Sequence, residues 1–106
     1  MQNLTQIAQD IERHVKQKLR ATDVEALPRE VRHDVRQLKL ACNEVRLDVR
    51  DYEYAETRAD QEKWAKLGRH NLKALNVLLL RLDTVFGPAD VAELGARLEE
   101  LKSSLR

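Results

Sequence analysis

Glycine and proline are scarce in this sequence, at three and two residues, and aromatic side chains make up only 4% of it. Few residues are therefore available to punctuate the chain, which excludes all-β architectures built on frequent Gly and Pro turns. A single cysteine excludes an intramolecular disulfide framework and fits a reducing compartment. A charge excess is missing as well: 19 Lys and Arg meet 18 Asp and Glu, a formal net charge of +1. Nucleic-acid-binding domains usually carry a basic excess, so the composition weighs against nucleic acid as a partner. Long hydrophobic runs are lacking too. The longest, Val77-Leu78-Leu79-Leu80, falls far short of the ~20 apolar residues of a membrane span. The opening residues carry Asp10, Glu12, Arg13, Lys16, Lys18 and Arg20 and hold no apolar stretch of a secretory signal. The expectation is a soluble cytoplasmic protein with no membrane partner.

What is present is Ala, Leu, Glu, Lys, Arg and Gln, the strong helix formers. At 106 residues the chain is long enough for one core and too short for two. The composition predicts an all-α protein. The hydrophobic pattern divides it into four helices.

Leu4, Ile7, Ala8, Ile11, Val15 and Leu19 give helix one a single apolar stripe, from Asn3 or Thr5 to about Ala21. After a short connector, Pro28 suits the first position of helix two, where its missing N–H has no helical partner. Helix two reaches roughly Glu56, and helix three covers about Asp60 to Phe86. Gly87-Pro88 ends helix three and opens helix four, with Asp90 in its first turn and Val91, Leu94, Leu98, Leu101 and Leu105 along one side.

The join between helices two and three carries no Gly or Pro, only Thr57 with Asp60 three residues on, a loose capping signal. The heptads argue for a break. Val31, Val35, Leu38, Cys42, Val45, Val49 and Tyr52 form an unbroken a/d seam on helix two. Ala65, Gly68, Leu72, Leu75, Leu79, Leu82 and Phe86 form another on helix three, out of phase with the first. One continuous helix would turn its seam to the other side midway and be roughly 85–90 Å long. The fold that follows is a single domain over 1–106: an antiparallel four-helix bundle, up-down-up-down, with an elongated central helical hairpin. Helices of about 19, 27, 27 and 18 residues would leave the hairpin end near Leu47 to Gly68 projecting by roughly 12–15 Å.

Helix two also bears a second stripe, Leu40, Leu47 and Tyr54, at the f positions opposite its seam. Arg29, Arg32, Arg36, Lys39, Arg46 and Arg50 occupy b or e positions, whereas Glu30, Asp34, Glu44, Asp48 and Asp51 occupy c or g. One flank is basic and the other acidic, so compensation should come from neighbouring helices. Helix three reads as apolar nearly all round, which predicts burial all round.

Signals of catalysis are weak. Glu30-x-x-His33 has the spacing of di-iron bundles, yet it falls on c and f, outside the seam, and no second copy exists. Cys42 lies in the seam as a small buried hydrophobe. The glycines are isolated, so no phosphate loop exists. No catalytic residue, metal or cofactor is expected.

The surplus apolar surface points instead to association. The expected function is a non-enzymatic helical protein–protein interaction or scaffold module, homodimeric or bound to another helical protein. Its partner-binding residues would be Leu40, Leu47 and Tyr54 on the back face and Tyr52 and Trp64 at the hairpin end, with Arg46 and Arg50 at the rim. The alternative is a nucleic-acid-associated regulator using the basic flank of helix two.

Overall fold

The computed structural model describes residues 3–106. Four long helices account for most of it: α1 (Leu4–Arg20), α2 (Arg29–Tyr54), α3 (Arg58–Arg81) and α5 (Pro88–Ser104), with a one-turn α4 (Asp83–Phe86) between the last two. Among the described residues there is no strand, and no helix is long and apolar enough to cross a membrane. The most extensive contact joins α2 to α3, with α1 against α2 and α5 against α3 and α1. This is the antiparallel four-helix bundle expected, elongated along its central hairpin, with extents of 47 × 26 × 18 Å.

The helix boundaries follow from local chemistry. Asn3 caps α1, its side-chain oxygen accepting the Gln6 N–H at 2.8 Å. The Thr57 hydroxyl accepts the Asp60 N–H at 3.1 Å and caps α3, so the hairpin break falls at Ala55–Thr57. Gly87 takes φ 84°, a left-handed conformation open to glycine without a Cβ penalty, and Pro88 starts α5 immediately after it. Helix three, expected to run unbroken to Phe86, is interrupted at Leu82 (φ −102°, ψ 24°). There the Leu82 N–H is shared between the Leu78 and Leu79 carbonyls, which tightens the last turn before Asp83 restarts the helix. Leu82 and Phe86 both stay buried across the break.

The two seams form one core. Val35, Leu38, Cys42, Val45 and Val49 of α2 meet Ala65, Leu72, Leu75 and Leu79 of α3, with Ala8, Ile11, Val15 and Leu19 and the α5 leucines closing over them. Each fully buried Leu or Val contributes roughly 1.5–3 kcal/mol relative to exposure. A free space of about 10 Å³ in this core is lined by Ile11, Val15, Leu38, Leu75, Leu79, Leu94 and Leu98. That is the volume of about one water probe, with no room for a small molecule. Gly68 sits where α5 ends against α3. A Cβ there would stand 3.0 Å from Leu105 Cδ1, so the missing side chain sets the close approach of Leu105.

The outer helices do not leave the hairpin end bare in the way expected. The connector is no tight turn: it carries a 3-10 turn, Val24–Ala26, and Val24 and Leu27 pack against the core. This displaces α1 along α2, so that its N-terminus reaches Glu53, whose carboxylate accepts the Leu4 and Thr5 N–H groups at 3.1 and 2.7 Å. At the α5 side the chain stops at Arg69, whose guanidinium donates to the Leu105 carbonyl at 2.6 Å. Only the first turns of α3 therefore lie beyond α5. A projecting two-helix tip is replaced by an end covered on its α2 side.

Candidate functional site

Two polar rungs fix the register of α2 against α3. Asp34 Oδ1 lies 3.1 Å from an Arg81 guanidinium nitrogen, and Asp48 Oδ2 accepts the Asn71 amide at 2.5 Å. Both aspartates are buried in the wide face that α2 turns to α3. Asp48 pays for this position: burial raises its pKa, the Asn71 hydrogen bond lowers it, and Glu44 and Asp51 raise it again. The same rungs set Leu40 level with Val77 across the outer face of the hairpin, the face that neither α1 nor α5 covers.

That outer face holds the surplus apolar surface. Among the described residues the large exposed hydrophobic side chains are Leu40, Tyr54, Leu67, Val77 and Leu80, with exposures from 40% at Leu67 to 77% at Tyr54. All five lie on α2 and α3. The outer sides of α1 and α5 contribute none. Helix three is thus not buried all round: its b, c and f positions stay in solvent because two short helices can cover only one side of the long pair. Its exposed residues were hidden from sequence reasoning among equally apolar neighbours, and only their offset from the a/d seam distinguishes them.

The expected partner-binding residues divide among three places. Leu40 and Tyr54 are exposed and Leu47 half-buried on the outer face of α2. Tyr52 belongs to the seam and packs against the core. Trp64 is half-buried in α3 with the Lys63 ammonium 4.9 Å from its ring centroid, a cation–π contact. Arg46 turns the other way, toward α1, where its Nε is 3.4 Å from Glu12 and its Nη2 donates to Asn43 at 2.7 Å. Arg50 is half-exposed and 3.6 Å from Asp51. Leu40, Leu47 and Tyr54 share one surface; Arg46 does not reach it.

Neighbouring helices compensate the flanks of α2 in part, through Glu12 with Arg46, Glu25 with Arg32, and Arg81 with Asp34. Cys42 is buried and its thiol is pushed up to about 12, first by burial and then by Glu12, so it holds almost no thiolate near neutrality. Glu30 and His33 are both exposed on the outer side of α2.

A further polar cluster, between helices far apart in the chain, went unseen in the sequence. His14 Nε2 of α1 lies 3.0 Å from Asp90 Oδ1 of α5, and Lys18 lies 3.2 Å from Asp90 Oδ2. Glu93 brings a third candidate ligand atom within 4.8 Å. One Asp90 oxygen faces the His14 imidazole and the other the Lys18 ammonium, and Glu93 faces Arg97 at 3.4 Å, so the group reads as a polar clasp from α1 to α5. The His14 and Lys18 contacts hold the Asp90 carboxyl below its usual range.

Compared with known proteins, the sequence matches no family profile, and neither curated proteins nor solved structures give a significant match.

Proposed function

We propose that this chain is a non-enzymatic helical interaction module that associates through the outer face of the α2–α3 hairpin, with a second copy of itself as the partner. One observation carries the reading: every large exposed apolar side chain among the described residues lies on the two central helices, and none lies on the outer pair. Scattered exposed leucines are ordinary on any protein surface. Confinement of all of them to one hairpin is the pattern of an association surface. Leu40 and Val77 stand at one level, Leu47 lies two turns along, and Tyr54 marks the end, so the stripe offers several anchors along one line.

A two-fold arrangement uses the same patch on both copies and closes without leaving a further sticky surface. The test is molecular mass by light scattering at micromolar concentration. The wild type is expected as a dimer, and Leu40→Glu with Val77→Glu as a folded monomer, because both positions are solvent-exposed in the protomer. Leu47→Glu is expected to weaken the dimer as well. A wild type that stays strictly monomeric at about 100 μM, far above the Kd of a specific dimer of ordinary size, would sink the reading.

A further inference from the structure

A near-neutral net charge hides how the fold sorts its charges. The Glu12–Arg46 contact and the capture of Glu53 by the start of α1 set α1 antiparallel along the basic flank of α2. This register brings the outer cations of α1 (Arg13, Lys16 and Arg20) into one groove with Arg46 of α2, while Arg36, Lys39 and Arg50 lie along the same basic flank. Arg13 is paired with Asp10 at 3.2 Å and Arg50 with Asp51 at 3.6 Å. All of these cations are exposed except Arg46, which is half-buried. Between the helices runs an open groove of about 660 Å³, lined by Gln9, Arg13, Lys16, Gln17, Arg20 and Arg46, with Glu12 as the one acid in its wall.

Glu12 cannot neutralise this surface. It is shared between Lys16 and Arg46, each at 3.4 Å. Arg46 Nε is buried and makes no hydrogen bond, the Glu12 contact being too long and poorly aligned for one. That nitrogen is enclosed, so Arg46 offers the groove its positive charge and not its Nε–H. Like charges repel along each helix, as between Lys16 and Arg20 or Arg46 and Arg50, and packing α1 against α2 adds repulsion across the groove. The neutral residues in the wall, Gln9 and Gln17, carry amides that can donate as well as accept. The surface therefore carries an excess of positive charge over roughly 20 Å of helix.

We infer that the α1–α2 groove binds the phosphate backbone of a nucleic-acid duplex without reading its sequence. Phosphate oxygens supply the negative charge that Glu12 alone cannot, and ~20 Å matches about six base pairs at 3.4 Å each. The groove has no aromatic side chain on which an unpaired base could stack, which favours a duplex over a single strand. No helix projects from it to enter a major groove, so the contacts are to backbone and not to base edges. The groove opens at Arg46, which turns toward α1, and meets the apolar stripe only at the end of α2, where Arg50 and Tyr54 line one cavity; binding there does not depend on the dimer.

Fluorescence anisotropy with two unrelated labelled 20-base-pair duplexes tests this. Both duplexes are expected to bind equally at 50 mM salt. With four phosphates neutralised, the affinity falls by about 10²-fold on going to 200 mM. Lys16→Glu with Arg20→Glu is expected to weaken binding at least tenfold, while Lys63→Glu with Lys66→Glu, the same change in net charge away from the groove, changes it less than threefold. Helical circular dichroism confirms that each pair of substitutions leaves the fold intact. No binding at 50 mM salt, equal losses from both pairs, or a preference for phosphatidylserine vesicles over duplex would each overturn the inference.

Discussion

Asn71 of α3 donates its amide to Asp48 of α2 at 2.5 Å, and this bond holds a carboxylate inside a largely aliphatic interface whose other buried carboxylate is Asp34. Burial and the nearby Glu44 and Asp51 all disfavour the charge, and only Asn71 favours it. The folded-state pKa of Asp48 is raised, so the native state holds its proton more tightly than the unfolded chain. Ionisation therefore costs stability at neutral pH, and acidification through the raised pKa restores it. Asp48→Asn keeps a polar partner for Asn71 and removes the charge. It should raise stability at pH 7 by about 1 kcal/mol, the order of one imperfectly satisfied buried polar group. In thermal melts the advantage should shrink as the pH falls. An advantage that is absent, or equal at pH 7 and pH 4, would show that the pair is already fully compensated.

Asp90 behaves in the opposite sense. Its carboxyl is held below its usual range by His14 first and then Lys18. A depressed folded-state pKa gives stability that is present above the unfolded value, near pH 4, and is lost as the pH falls through the folded value. Asp90→Asn should melt below the wild type at pH 7 and converge with it once the pH has fallen through the lowered folded value. Melting curves that remain parallel down to pH 2 would mean that the clasp adds nothing through charge. Because Asp90 also occupies the first turn of α5, Glu at position 90 serves as a control that keeps the helix-terminal charge while moving it away from His14.

Periodicity carried most of the architecture because a/d burial is a one-dimensional property. Val35 to Val49 and Ala65 to Phe86 were legible as seams, and they are buried as such. Thr57 and Gly87 were legible because capping is local chemistry. The contacts that arrange the surfaces were not legible, since they depend on the register between helices. The connector's packing of Val24 and Leu27 decides how far α1 slides along α2. That slide determines that Arg46 faces Glu12 and that Arg13, Lys16 and Arg20 gather opposite the α2 flank. A one-turn shift of α1 would have moved each of these pairs about 5.4 Å apart. His14 and Asp90, 76 residues apart, share no sequence pattern that could link them. Leu40 and Tyr54 were visible as a second stripe because an f position facing solvent has no structural need for them. Their counterparts Val77 and Leu80 lay concealed in a run of four apolar residues, of which Leu79 is buried.

Cys42 offers a measure of how closed this core is. The thiol faces the seam between α1, α2 and α3, and its pKa of about 12 leaves roughly one thiolate in ten thousand at pH 8. Association through the outer face therefore does not use a disulfide, because the only cysteine is buried in the core. Modification by a thiol reagent requires the bundle to open, and the rate then reports the population of the open state. The native protein should react at least ~10³-fold more slowly than the chain in guanidinium, following from a stability above about 5 kcal/mol. Leu38→Ala, which removes a fully buried side chain one turn from Cys42, costs about 2–5 kcal/mol. It should accelerate labelling by about 10²-fold if opening is global. The kinetics of absorbance on reaction with an aromatic disulfide give both rates. Native labelling as fast as that of a free thiol would show that the α1–α2 contact opens locally, and α1 would then be the mobile wall of the groove it shares with α2.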